Sequence, residues 1–265
     1  MKVALCLHGI SKGKNNKYGG LPVNFEEEAK LYKKNYIIPN NADVFIHSWK
    51  NNDINSILNM YSPVDYLFEE SKIFRKNSLK TTLLNSLRSV TGKKVEHNRL
   101  NNIFSRWYSF YKVIDLLNQH ENKINQKYDI IMVSRFDLSL FSSINLNFFE
   151  KNKFIVPTWC GYRDSLGRKI PEDKIYLSLD KKYKYIRGFP YDDEGLLDFW
   201  FISSSNIIKE FANIYNELDK FISNVGLSNH KIALEKIKEM QMLSSLQFRQ
   251  ESYSDFCLTR WMLDA

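Results

Sequence analysis

Cysteine is scarce in this chain: Cys6, Cys160 and Cys257 are the three present in 265 residues, odd in number, far apart and without C-x-x-C spacing. That excludes a disulfide framework and a zinc knuckle, and it fits a reducing cytoplasm. Long apolar runs are missing too. Near the start only Val3 to Leu7 precedes His8 and Gly9, too short for a spanning helix and without a small-residue cleavage pattern, so a lipid-linked substrate would be met from the membrane surface. The glycine signatures of dinucleotide-binding and P-loop proteins are both absent, as is any repeat or low-complexity block. Basic charge is present without focus. The 38 Lys and Arg against 30 Asp and Glu give a net charge of +8, but Lys12-Gly13-Lys14, Lys33-Lys34, Lys93-Lys94 and Lys181-Lys182 are scattered. Nothing resembles a basic helix suited to a nucleic-acid groove, which argues against nucleic acid as a partner. A diffuse positive surface suits solvation, or attraction to phosphate-bearing substrates and anionic headgroups at a membrane surface.

What is there describes an ordered globular protein. Hydrophobic residues make up 43% and aromatics 14%, with fifteen Tyr and eighteen Phe, enough to bury a substantial core in one α/β domain. Lys2 to Leu7 reads as a first buried strand running into His8-Gly9-Ile10-Ser11. Such a small-residue turn either simply ends the strand or lets a ligand approach the backbone closely. Glu26 to Tyr36 can form a short helix, and Ala42 to Trp49 reads as a second strand, so the pair implies a parallel crossover. Residues 50–98 carry no assignable role. Leu100, Ile103, Phe104, Trp107, Tyr108, Tyr111, Ile114 and Leu117 follow helical spacing and form one broad apolar face, with Arg106 and Lys112 expected to face elsewhere.

The stretch YDIIMVSRFDLSLF, residues 128–141, is the most informative. Its run from Tyr128 to Val133, apolar but for Asp129, suits a central parallel strand, and the stretch continues into Arg135-Phe136-Asp137, where the carboxyl end of such a strand would meet a ligand. Asp137 is thus a candidate site residue; alternatively it caps the following turn or pairs with Arg135. Further strands are expected at Phe154–Trp159 and Phe199–Ser203, and helices at Ile207–Phe221 and His230–Leu246. The polar connection 160–197 has the length of a lid or substrate loop.

In this order VALCLHGI, ADVFIHSW, SRWYSFYKVIDL, YDIIMVSRFDLSLF, LLDFWFISSS and GLSNH resemble the bacterial surface-polysaccharide glycosyltransferases of GT-A type that serve capsule and lipopolysaccharide synthesis. The resemblance implies a Rossmann-like single domain with a mainly parallel central sheet flanked by helices, residues 1–159 binding the nucleotide and 160–265 facing the acceptor. It implies hexosyl transfer from a nucleoside diphosphate sugar to a glycan or lipid-linked glycan, by a cytoplasmic enzyme able to work at the inner face of the membrane. A divalent cation, Mn²⁺ or Mg²⁺, would bridge the diphosphate. Asp137 then falls on the second acid of the D-x-D motif, while Arg135 replaces the first; a guanidinium cannot bind a metal but makes charge-assisted contacts to phosphate. His230 occupies the place of a late metal ligand, or caps its helix. His8, Gly9, Ser11 and Arg135 form the nucleotide side. Asp198, flanked by aromatic residues that would raise its pKa, is the candidate general base with Glu194 in reserve; alternatively it caps a turn. Trp49, Trp159 and Tyr162 either stack on a base or sugar or pack in the core. Two other readings remain open: a non-catalytic glycan- or phosphate-binding protein of the same fold, and a transferase of a phosphate-containing group.

Overall fold

The computed structural model describes residues 1–13, 23–74, 99–146, 149–163, 184–189, 195–251 and 254–259. The chain opens with β1 (Val3–Gly9), then a small ribbon of β2 (Lys12–Gly13) and β3 (Val23–Asn24). Helix α1 (Phe25–Tyr32) carries Glu26, Glu27 and Glu28 in its first turn, where the helix dipole favours negative charge. A π-helical turn at Lys33–Ile37 and the short α2 (Ile38–Asn40) lead into β4 (Asp43–Trp49). Next come α3 (Ile54–Tyr61), β5 (Asp65–Glu69), the long α4 (Arg99–Ile124), β6 (Ile130–Arg135) and β7 (Leu138–Leu140). The rest comprises β8 (Phe154–Arg163), β9 (Lys184–Phe189), β10 (Trp200–Ser203), α5 (Ser205–Ala212), α6 (Leu218–Val225), α7 (Asn229–Glu239), β11 (Leu246–Glu251) and β12 (Phe256–Leu258).

The main sheet runs β11-β8-β10-β6-β1-β4-β5, with β9 paired to β8. Its heart is parallel: β6, β1, β4 and β5 are successive parallel neighbours, while β10 enters antiparallel between β6 and β8. From β1 the chain moves outward through β4 to β5, then crosses back to lay β6 on the other side of β1. The strand order therefore reverses between β1 and β6, and in open α/β sheets that reversal opens a crevice outside the carboxyl ends of the strands. This is the mainly parallel α/β domain expected from the sequence.

Alternation along β1 divides the core into two layers. Val3, Leu5 and Leu7 pack with Phe25, Ala29 and Tyr32 of α1 on one face. Ala4 and Cys6 pack on the other with Ile103, Trp107, Phe110, Ile114 and Leu117 of α4. A sheet buried on both faces needs apolar residues at every position, which is why these strands read as unbroken hydrophobic runs.

Several boundaries depart from the sequence expectations. The helix expected at Ile207–Phe221 is divided: α5 ends at Ala212, a 3-10 turn spans Asn213–Glu217, and α6 begins at Leu218. The helix expected to reach Leu246 stops at Glu239, because Gln241 adopts a left-handed backbone (φ 56°), and Leu246 instead opens β11. The unassigned stretch after residue 50 holds α3 and the edge strand β5. Much of the 160–197 connection lies outside the described residues, but its inner part supplies β9, paired antiparallel to β8.

Candidate active site

The parallel register brings three polar side chains to one level at the carboxyl edge: His8 on β1 is paired with Arg135 on β6 and with His47 on β4. Gly9, the next residue, has a left-handed backbone (φ 101°), and no atom of the described residues lies within 4 Å of where a Cβ would stand. Its N–H donates to Ser109 Oγ at 2.8 Å, and its carbonyl accepts from Ser48 Oγ at 2.8 Å. Since Ser48 gives its proton to Gly9, it accepts from Ser11 Oγ, 2.9 Å away, and Ser11 in turn accepts from Asn51 Nδ2 at 2.8 Å. Ser11 is fully buried. Its hydroxyl is therefore engaged in holding the turn, and Gly9, whose N–H and carbonyl are both bonded within the turn, contributes the absence of a side chain.

Behind Gly9 stands a hydrogen-bonded relay. Ser109 Oγ meets His47 Nδ1 at 2.7 Å, and His47 Nε2 meets Glu69 Oε2 at 3.0 Å. Glu69 also accepts from Lys72 Nζ at 2.5 Å and from Tyr108 at 2.8 Å. Burial would raise the Glu69 carboxyl, but the contacts from Lys72, His47 and Tyr108 prevail and bring it down to about 2. Burial lowers the pKa of His47. A neutral His47 that donates Nε2–H to an ionised Glu69 and accepts from Ser109 at Nδ1 satisfies every group in the chain.

His8 is only 2% exposed and packs edge-on to Phe110, with ring centroids 5.3 Å apart. Burial, reinforced by Arg106 and Arg135, holds its pKa well below the usual imidazole range. Its Nδ1 is enclosed without a hydrogen-bond partner among the described residues.

Arg135 and Asp137 form a two-pronged pair, with Nε donating to Oδ1 at 2.7 Å and Nη2 to Oδ2 at 2.6 Å. The strand end beneath is pinned by Tyr32, whose hydroxyl donates to the Arg135 carbonyl at 2.9 Å and accepts from Ser134 at 2.6 Å. On the far side, Thr259 N donates to the Asp137 carbonyl at 3.0 Å. Asp198 forms the second centre. Its Oδ2 lies 3.0 Å from Arg106 Nη1, its Oδ1 lies 2.9 Å from His230 Nδ1, and Arg106 Nη2 also bonds its carbonyl. These side chains are 10% (Arg106), 26% (His230) and 3% (Asp198) exposed.

Asp198 was expected to carry a raised pKa. Burial pushes in that direction, but Arg106, then His230 and Arg135, outweigh it and hold the carboxyl far below the carboxylate range. An acid so stabilised as an anion is a poor proton acceptor, so the general-base assignment on those grounds is corrected. Glu194, the reserve base, lies outside the described residues. Arg106 was expected to face away from the sheet; instead it enters the site. The signal was in the spacing, for Arg106 lies three residues after Ile103, four before Phe110 and seven before Val113, all buried on one face of α4.

The expected divalent cation does not fit the donors as they stand. Both Asp137 oxygens are engaged by Arg135, His230 Nδ1 is turned to Asp198, and among the described residues no group of three His, Cys, Asp or Glu side chains could hold a metal ion. Among the described residues, the lysine or arginine groups paired with Asp137 and Asp198 are the guanidinium groups of Arg135 and Arg106. Burial opposes the charge on Arg135, but Asp137 and Asp198 raise its pKa further. Of the aromatic candidates, Trp49 stacks on Tyr108 (centroids 5.9 Å, planes 11° apart). Trp159 donates Nε1–H to the Gly195 carbonyl at 2.9 Å and packs edge-on to His230 at 5.0 Å. The side chain of Tyr162 lies outside the described set.

The fold and site thus define an α/β protein with a buried cluster of paired charges at the sheet reversal. No known family model matches the chain, and no curated protein is similar to it. Among solved structures, it is similar to CTP:phosphocholine cytidylyltransferase from Streptococcus pneumoniae, with a TM-score of 0.46 and 12% identity over 96% of this chain and 91% of that one. At that TM-score the likeness carries no argument about activity.

Proposed function

We propose that the protein is a glycosyltransferase that moves a sugar from a nucleoside diphosphate sugar to a glycan or lipid-linked glycan in the assembly of bacterial capsule or lipopolysaccharide. The observation that carries this reading is the placement of His8 and Arg135 side by side at the strand-order reversal, beside Gly9 and the open space where a side chain would stand. A guanidinium at the carboxyl ends of parallel strands, beside a glycine whose missing side chain lets a ligand approach, is suited to a diphosphate, which takes bidentate cationic contacts. Arg135 faces the leaving diphosphate, and Asp137 holds that guanidinium in place until the donor arrives. Residues 1–159 supply this donor side, and the elements after residue 160 supply the acceptor side. In this reading the enzyme works in the cytoplasm and meets its acceptors at the inner membrane surface. No helix among the described residues is long and apolar enough to cross a membrane.

The test is thermal stability with UDP, GDP, CDP and dTDP and their sugar conjugates, each with Mn²⁺ or with EDTA. A ligand that binds only the folded state raises the melting temperature, by an amount equivalent to about 2.7 kcal/mol at a hundred times its Kd. A shift with one base, followed by release of that nucleoside diphosphate from its sugar conjugate, supports the reading. No shift with any member overturns it.

A further inference from the structure

We infer that His230 is the group that takes the acceptor's hydroxyl proton, and that Asp198 is the positioning residue that fixes its tautomer. The inference rests on the transfer reaction proposed above and assigns its missing base. His230 Nδ1 faces two oxygen acceptors, Asp198 Oδ1 at 2.9 Å and the Leu196 carbonyl at 3.0 Å. The Asp198 N–H also approaches Nδ1, at the longer distance of 3.3 Å. Two close acceptors place the proton on Nδ1, so the lone pair resides on Nε2. That is the tautomer a neutral imidazole base requires, and a buried carboxylate is the usual device for holding it.

The backbone around the pair is built to keep that geometry. Leu196 N donates to the His230 carbonyl at 3.1 Å, while the His230 ring returns to the Leu196 carbonyl. Gly195 (φ 92°) lies so close that a Cβ would overlap the His230 carbonyl. Ser228 caps α7 by accepting from Lys231 N, and Trp159 and Phe199 wall the ring at 5.0 and 6.3 Å. The imidazole is held on three sides, yet its side chain keeps 26% of its surface open. Arg106 on the other Asp198 oxygen keeps that acid ionised. Asp198 therefore stabilises the imidazolium formed by proton transfer without accepting the proton itself.

In the step, His230 Nε2 takes the proton of the acceptor hydroxyl as its oxygen forms the new bond to the anomeric carbon. The bond from that carbon to the diphosphate oxygen breaks, and its electron pair leaves with the nucleoside diphosphate, whose charge Arg135 meets. One proton moves to the imidazole, one C–O bond forms and one breaks. No other reactant is consumed.

The experiment follows turnover of the nucleotide sugar identified by the thermal panel, with water as acceptor and release of nucleoside diphosphate as readout, in the full-length protein. His230→Asn is the informative variant, because its side-chain amide can replace the Nδ1 donor to Asp198 while deleting Nε2. It should keep the melting temperature and the nucleotide-induced shift and lose about 10²–10⁴-fold in kcat, the usual contribution of a positioned base. His230→Ala should lose as much and regain turnover on addition of imidazole. Asp198→Asn should present an amide to Nδ1 and move the ring proton to Nε2, which lowers kcat at least about 10²-fold with the donor KM unchanged. Wild-type turnover in His230→Asn, or an Ala variant indifferent to imidazole, overturns the assignment of the base while leaving the transferase reading intact. A wild-type protein that binds no nucleotide sugar overturns the transferase reading itself.

Discussion

Replacing Arg106 by Met removes a guanidinium while keeping most of its stem, and it strands Asp198 in a site where that acid is 3% exposed. Breaking a buried ion pair from one side costs about 3–5 kcal/mol. The lower end applies, because His230 remains 2.9 Å from the other carboxylate oxygen and Arg135 contributes its field. A loss of about 3 kcal/mol should appear in urea unfolding as a lower midpoint at unchanged m, and as a fall of about 6–12 °C in Tm at about 2–4 °C per kcal/mol. The Arg106→Met/Asp198→Asn double variant leaves no uncompensated charge, so it should be less destabilised than Arg106→Met alone. The acid side of the stability curve supplies an independent check. A carboxyl whose pKa is lowered on folding contributes stability that is present above its unfolded value of about 3.9 and lost as pH falls below it. Without Arg106, the largest of the lowering influences on Asp198, that acid-side loss should shrink. A variant within about 1 kcal/mol of wild type, with the same acid limb, would refute the claim that this pair is buried and tightly coupled.

Three other outcomes are expected. Gly195→Ala should lose stability by at least about 1–3 kcal/mol from its left-handed backbone and more from the overlap with the His230 carbonyl; urea unfolding measures this, and wild-type stability would contradict the close approach. Stability should fall as pH drops below about 6.5, by up to about 1.4 kcal/mol per pH unit for each buried neutral histidine, because the unfolded chain takes up protons that the folded chain refuses. His8 and His47 both have lowered pKa values, so His8→Asn should flatten the Tm profile between pH 7.5 and 5.5. Finally, burial pushes the Cys6 thiol well up and the Cys257 thiol up to about 11. Peptide mapping after iodoacetamide treatment of the folded protein at pH 8 should find both unmodified, and rapid labelling of either would contradict its burial.

How much of this was legible depended on which force acts locally. The runs Val3–Leu7, Val44–Ile46 and Ile130–Val133 announced themselves because a two-faced sheet demands apolar residues throughout. The long helix α4 followed from its periodicity. The three-residue strands β7 and β12 were invisible, since Leu138–Leu140 and Phe256–Leu258 are too short for any period and exist through pairing across more than a hundred residues. At the site, Asp137, Asp198 and His230 were selected singly for strand-end position, flanking aromatics and motif likeness. Their partnerships were not legible. The pairing of Asp198 with Arg106 and His230 brings together α4, the approach to β10 and the start of α7, a long-range arrangement that no local spacing encodes. The pKa of Asp198 was misjudged for the same reason: neighbouring aromatics in sequence suggested desolvation, while the neighbours in space include the guanidinium groups of Arg106 and Arg135.

The pairing of β12 with β7 also has a meaning in time. Phe256, Cys257 and Leu258 join Leu140, Ser139 and Leu138 directly beyond Asp137, and Thr259 then fastens the Asp137 carbonyl and the buried Glu28. During synthesis, residues 256–259 leave the ribosome after Arg106, Arg135, Asp137, Asp198 and His230. A nascent chain can therefore assemble its parallel strands early and still lack the clasp that seats the Arg135–Asp137 turn. The turn that carries Arg135 and Asp137 is thus seated last, by a segment made after every side chain that it helps to position.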